Sequence, residues 1–149
     1  MSLVSRSVQL LVTATLPATF DYVSDLAHHP EWNDGLKIEA LTPDPIRVGK
    51  EYASQGKVAV QENRPNIIRI SRYEPPHRFA FVAADPNFGD VVHEFNFTKR
   101  TDAVLITRAM TVQLNAIMAV LFKSIVYPLI GRPSMNKSFV GLKAKLESM

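Results

Sequence analysis

Hydrophobic and polar positions alternate with a period of two along most of the chain and pass to a helical period only near its end. Val4, Arg6, Val8, Leu10 and Val12 alternate with Ser5, Ser7, Gln9, Leu11 and Thr13, which predicts a first strand with one buried face. Leu16-Pro17 ends it. Pro17 to Leu26 predicts a short helix with Phe20, Val23 and Leu26 on one face and Pro17 in its first turn. His28-His29-Pro30-Glu31-Trp32-Asn33 predicts a second short helix or turn. Leu36 to Leu41 is a short strand stopped by Thr42-Pro43-Asp44-Pro45. Tyr52, Ser54, Gly56, Val58 and Val60 then alternate with their neighbours, and Asn63-Arg64-Pro65-Asn66 is the expected turn into the next strand.

Two hairpins follow. Ile67 to Tyr73 and Arg78 to Ala84 are joined at Glu74-Pro75-Pro76-His77. A symmetric turn there sets Arg72 opposite Phe79 and Ile70 opposite Phe81, placing Ile68, Ile70, Phe79 and Phe81 on one face, with Tyr73 and Arg78 outward. After the loop Asp85-Pro86-Asn87-Phe88-Gly89-Asp90, the series Val91, His93, Phe95, Phe97 and the series Val104, Ile106, Arg108, Met110, Val112 mark the clearest hairpin, joined by Lys99-Arg100-Thr101-Asp102. Pairing Thr98 with Ala103 sets Phe97 opposite Val104, Phe95 opposite Ile106 and His93 opposite Arg108.

The helical region runs from Asn115 to Met149. Ala116 to Ile130 is apolar almost all round, broken by Lys123 and Ser124, and so needs apolar cover on more than one side. From Ser134 onward Met135, Phe139, Leu142 and Leu146 form one stripe that a sheet would cover. Pro128 removes a backbone donor, and Gly131-Arg132-Pro133 punctuates the chain, so a break is expected at Ile130 to Arg132 with a second helix from Pro133.

Composition narrows the classes. With 149 residues and 46% hydrophobic residues, the chain suits one domain with a real core. There is no cysteine, which excludes disulfides, a thiolate nucleophile and cysteine metal sites, and fits a cytoplasmic location. Val8 to Ala14 alternates like a strand and does not read as a signal peptide. Leu114 to Ile130 is shorter than the ~20 residues of a span and contains Lys123 and Pro128, so no transmembrane segment is expected. The net charge is +3, and residues 115–149 alone hold +4 from Lys123, Arg132, Lys137, Lys143 and Lys145 against Glu147. Those charges are scattered with no aromatic residues interleaved for base stacking, so they read as a solvated face and not as a nucleic-acid site. The histidines lack metal-ligand spacing, the six glycines form no nucleotide loop, and no serine sits in a nucleophile motif. No metal or cofactor is therefore expected.

Three segments in order carry a resemblance. Pro17 to Leu26 followed by Pro30-Glu31-Trp32-Asn33, then Val48-Gly49-Lys50-Glu51-Tyr52, then Tyr73-Glu74-Pro75-Pro76-His77-Arg78-Phe79-Ala80-Phe81, resemble the START/Bet v 1-like superfamily, particularly its polyketide cyclase/dehydrase-like branch. The resemblance spans nearly the whole chain. It implies an α+β helix-grip fold, in which a curved antiparallel sheet of about seven strands wraps a long, here broken, C-terminal helix, with two short helices after the first strand. It also implies a cavity between sheet and helix, which Trp32, Tyr52, Phe81, Phe95, Met110, Met118 and Phe122 would line, although each also suits a plain core. Members of the superfamily bind lipids, hormones and polyketides, and some catalyse cyclisation or dehydration, so the resemblance bears on fold more than on function.

His93 and Arg108 are the functional lead. A guanidinium on an otherwise apolar face needs an answering charge, because arginine does not escape burial by losing its proton. Two readings are open. A ligand carboxylate, phenolate or phosphate meets Arg108, with His93 as a second donor. Otherwise Arg108 reaches the mouth of the sheet or pairs with Glu51 or Glu62, while His93 caps a core hydrogen bond. The functions that follow are binding of a small hydrophobic ligand, a cyclase or dehydratase with His93 as acid or base, or an interaction module that docks Ala116 to Ile130 on a partner or a membrane surface.

Overall fold

The predicted alternation becomes one seven-stranded antiparallel sheet in the order β1-β7-β6-β5-β4-β3-β2. Its strands are β1 (Ser2–Val12), β2 (Lys37–Ala40), β3 (Glu51–Val58), β4 (Gln61–Glu74), β5 (Arg78–Asp85), β6 (Gly89–Lys99) and β7 (Val104–Leu114). The computed structural model describes residues 1–33, 35–58, 61–85 and 89–149, and the side chains of these except 56–58, 61–65 and 85. The expected alternation through Ala59 and Val60 and the loop at Pro86-Asn87-Phe88 lie outside the described residues.

Between β1 and β2, which are the two edges of the sheet, lie α1 (Leu16–Ser24) and a 3₁₀ helix (Leu26–Glu31). Each starts on a side-chain cap. Thr15 Oγ1 accepts from the Ala18 N–H at 3.3 Å, and Asp25 Oδ1 from the Ala27 N–H at 3.1 Å. The buried face of α1 sets Phe20 against Phe97 (ring centroids 5.3 Å) and Tyr73 (5.6 Å).

The C-terminal helix is continuous from Ala116 to Glu147, so the break expected at Ile130 to Arg132 is absent. It comprises α2 (Ala116–Leu121), a π-helical segment (Phe122–Gly131) and α3 (Arg132–Glu147). The π segment explains the continuity. Its wider turn gives the Pro128 ring room that a tight α turn lacks, and the Arg132 N–H bonds the Tyr127 carbonyl five residues back. Gly131 takes ordinary right-handed helical angles. The end of the helix is tied to β1: Glu147 Oε2 accepts from the Thr13 N–H at 2.8 Å, and Lys143 donates to the Leu11 carbonyl at 2.9 Å.

Two further expectations are corrected. The turn at Asn63 to Asn66 is strand, with Gly56 opposite Arg64 and Gln55 opposite Pro65. Among the described residues Pro65 lies beyond the last β4–β5 pair, Ile68 with Ala83. Tyr73 points inward and not outward, because the β4 register shifts between Ile70 and Arg72. The bulge keeps Ile70 opposite Phe81 but turns Arg72 out to Glu94 (3.4 Å) and Tyr73 in, opposite Phe79.

The core forms two clusters. Val12, Phe20, Phe79, Phe97, Leu142 and Leu146 belong to the first, under α1 and the end of α3; Val4, Val91, Val112, Phe122, Tyr127 and Met135 belong to the second, under α2 and the π segment. Gly141 lets α3 approach the 3₁₀ helix closely, since a Cβ there would stand 2.9 Å from the Trp32 carbonyl oxygen. Gly141→Ala is therefore expected to destabilise the fold by about 1–3 kcal/mol, read as a lower urea midpoint at unchanged slope.

Candidate functional site

The polar residues of the concave face collect where the two clusters meet. Arg108 of β7 stands opposite Val8 of β1 on one side and Phe95 of β6 on the other. Val8 packs against both clusters. His93 stands opposite Met110, so the expected pairing of His93 with Arg108 is shifted by two residues. The reason is the turn: Lys99 pairs with Val104, and the Arg100 N–H bonds the Ala103 carbonyl at 2.9 Å, closing the loop one residue further along each strand. A shift of two leaves every side chain on its own face. His93 and Arg108 thus remain diagonal neighbours, and Arg108 Nη2 donates to His93 Nδ1 at 3.4 Å.

Aromatic rings hold both groups. The His93 ring stacks on Phe81 (4.9 Å, 17°), and the Arg108 guanidinium lies 5.3 Å from the Phe95 ring centre. Arg108 is buried, its Nε has no hydrogen-bond partner, and no carboxylate pairs with it among the described residues. Burial pushes its pKa down to about 10, partly offset by the nearby Tyr127 phenol, so it is a cation at neutral pH. Glu51 is exposed and is not its partner, and the Glu62 side chain lies outside those described.

A third member was not expected from the sequence. His29 of the 3₁₀ helix is buried and donates from Nε2 to the Val23 carbonyl at 2.7 Å. It sits among Trp32 (4.6 Å), Phe81 and Phe95 (6.0 Å each). Burial lowers its pKa to about 3 against the opposing Val23 bond, with Arg108 adding to the fall. His93 is held well below its ordinary range by burial, then by Arg108 and His29. Both rings are neutral at pH 7, and each has an identified tautomer: His29 carries its proton on Nε2, and His93 offers Nδ1 to Arg108. The missed signal is the three-residue spacing of Leu26, His29 and Trp32, which stacks side chains on one face of a 3₁₀ helix and buries all three.

The other residues expected to line a cavity divide between the clusters. Trp32, Tyr52, Phe81 and Phe95 lie in the first; Phe122 lies in the second, with Met110 and Met118 packed against it. Among the described residues Trp32 Nε1 and the Tyr52 hydroxyl, both buried, have no hydrogen-bond partner, and burial pushes the Tyr52 pKa up to about 12. Three of the nine expected residues, Trp32, Tyr52 and Arg108, therefore present buried donors that no described residue satisfies. None of the nine lines the open depression of about 340 Å³ at the edge of the sheet, which is formed by Arg6, Ser7, Lys123, Tyr127, Pro128 and Arg132. Tyr127 connects the two places, since its ring lies under the Arg6 guanidinium at 6.0 Å and its phenol acts on Arg108. Among the described residues no group of histidine and carboxylate side chains is placed to hold a metal.

The architecture has close counterparts. The di-domain ARO/CYC protein BexL from the BE-7585A biosynthetic pathway superposes with a TM-score of 0.77 at 13% identity, over 97% of this chain and 50% of BexL. This chain has the helix-grip fold of the Bet v 1-like superfamily. Ara h 8.0201 matches over 99% of this chain and 100% of its own, with a TM-score of 0.72 at 9% identity. Protein CV1439 from Chromobacterium violaceum matches at 0.70 and 16%, over 96% of this chain and 97% of its own. No family model matches the sequence, and no curated protein is significantly similar to it. The helix-grip chain spans half of BexL.

Proposed function

We propose that all 149 residues serve as one cytoplasmic ligand-binding domain that takes a small, mainly apolar molecule with an anionic or strongly polar end. The observation that carries this is Arg108: a buried guanidinium with no carboxylate partner among the described residues, beside a neutral histidine, on a face otherwise made of aromatic rings. A carboxylate or phenolate takes the arginine, and the body of the ligand lies against Phe81, Phe95 and Trp32. The depression at Tyr127 is the way in, since the Tyr127 phenol acts on Arg108. The fold shared with ARO/CYC proteins supports an aromatic or polyketide-like class of ligand.

The alternative, a cyclase or dehydratase, asks His93 to move a proton. Its Nδ1 already accepts from Arg108, its protonation is disfavoured, and the nearest carboxylate in sequence, Glu94, is paired with Arg72. Binding without turnover fits these features better. Native mass spectrometry of the protein taken from its own host, with denaturing extraction, tests the proposal. A discrete mass released as an apolar acid or phenol is expected; a neutral aliphatic ligand with no polar end would contradict it.

A further inference from the structure

The first half of the C-terminal helix faces two ways. Ala119, Phe122 and Tyr127 cover the second core cluster, while the opposite side carries Ile117, Val120, Leu121, Ile125, Leu129 and Ile130, all exposed. Three of them are largely bare: Ile117 at 82%, Leu129 at 71% and Val120 at 65% exposure. The helix contains a stretch long and apolar enough to cross a membrane, yet only 17% of that stretch is buried in the fold. These positions fall on one stripe, because the spacing of four in α2 is continued by spacings of four and five through the wider π segment. An apolar stripe of this size on a protein surface marks something that covers it.

Charge says what. From residue 103 to 146 the chain has no acidic residue. Lys123 and Arg132 flank the stripe and share the Tyr127 depression with Arg6, and among the described residues neither Lys123 nor Arg132 pairs with a carboxylate. A second copy related by a two-fold axis would bring these cations towards their own counterparts, which disfavours self-association. An apolar helix face with cations on its flank and no acids suits the boundary of an anionic bilayer, where side chains enter the acyl region and cations meet phosphates. The geometry points to a membrane-docking surface: the stripe from Ile117 to Ile130 lies on an anionic lipid surface, with Lys123, Arg132 and Arg6 at the headgroups. This stands independently of the ligand proposed above, although it would bring the Tyr127 depression to the source of an apolar ligand.

Vesicle sedimentation of the full chain decides it. Vesicles of phosphatidylcholine with one part in about three of phosphatidylglycerol are expected to bind the protein about ten-fold or more tightly than phosphatidylcholine alone, with binding weakened by added salt. Ile117→Glu with Leu129→Glu should remove binding, and Lys123→Glu with Arg132→Glu should remove the preference for anionic vesicles. All four sites are exposed, and circular dichroism should show each variant folded. Failure to bind the mixed vesicles, equal binding to neutral ones, or undiminished binding of the glutamate variants would overturn the proposal. So would self-association in sedimentation velocity that the Leu129→Glu change abolishes in the absence of vesicle binding, since it would assign the stripe to a second copy.

Discussion

Arg108→Met is expected to make the protein more stable by about 1–3 kcal/mol and to cost it its hold on an anionic ligand. Arg108 is desolvated between Val8 and Phe95 and receives in return, among the described residues, one long hydrogen bond to a neutral histidine and the face of Phe95. Neither compensates fully for the lost hydration of a cation, and the unpartnered Nε adds to the deficit. Methionine fills much of the same volume between Val8 and Phe95 without the charge. On the function proposed above, that cost is offset by the anionic ligand end that Arg108 meets. Thermal and urea unfolding of the two proteins checks the first half of the expectation. A clear loss of stability in Arg108→Met would show that the arginine is structural, and the ligand argument would lose its basis.

Acid should unfold the protein earlier than its surface charges would suggest. In the folded state His29 has its pKa lowered to about 3 and His93 well below the ordinary value of 6.5, so the unfolded chain takes up protons that the folded chain refuses. The stability tied to these rings is present above pH 6.5 and is lost as pH falls from there towards the folded values. His29 alone accounts for about 2 kcal/mol between pH 7 and pH 5, and His93 acts in the same direction. Glu31 and Glu147, whose partners hold them low, act only below the usual carboxylate range and leave this window to the histidines. Urea midpoints measured from pH 7.5 to 5 should fall steadily. His29→Gln keeps a donor towards Val23 but cannot titrate, and is expected to flatten the profile by about one proton. A flat profile in the parent protein would mean that water reaches both rings.

The sheet was legible because a strand states its buried face every second residue. Val4, Val12, Phe79, Phe95, Phe97, Val104 and Ile106 were each assignable to that face, and each is buried. Register was less legible. The β6–β7 pairing depends on how a turn closes, and a shift of two residues leaves the pattern of faces unchanged, so the alternation does not distinguish the two pairings. The β4 bulge was hidden for the opposite reason: it reverses the faces at Arg72 and Tyr73, and only the pairing across to Glu94 and Phe20 shows why that is favourable. The helix through Pro128 and Gly131 defied the local signals because a π turn accommodates the proline ring and keeps the apolar inner face on the sheet.

The candidate site was half visible. Arg108 and His93 stood out as charged or titratable groups on an apolar face, and the structure brings them together. His29 belonged to a segment whose 3₁₀ spacing is too short to register as periodicity, and Tyr127 and Arg6 lie on elements far apart in sequence that only the folded helix joins.

The most direct test of the account compares one apolar acid with its neutral counterpart. The single tryptophan, Trp32, is buried 4.6 Å from His29, so its fluorescence reports occupancy of the seam. Titration with 2-naphthoate and with 2-naphthamide, in the parent protein and in Arg108→Met, gives four affinities. The parent is expected to favour the acid by about ten-fold or more, and the variant to lose that preference while retaining the amide within about two-fold. Equal loss of both ligands, or a preference for the acid that survives without Arg108, would contradict the role assigned to the buried arginine.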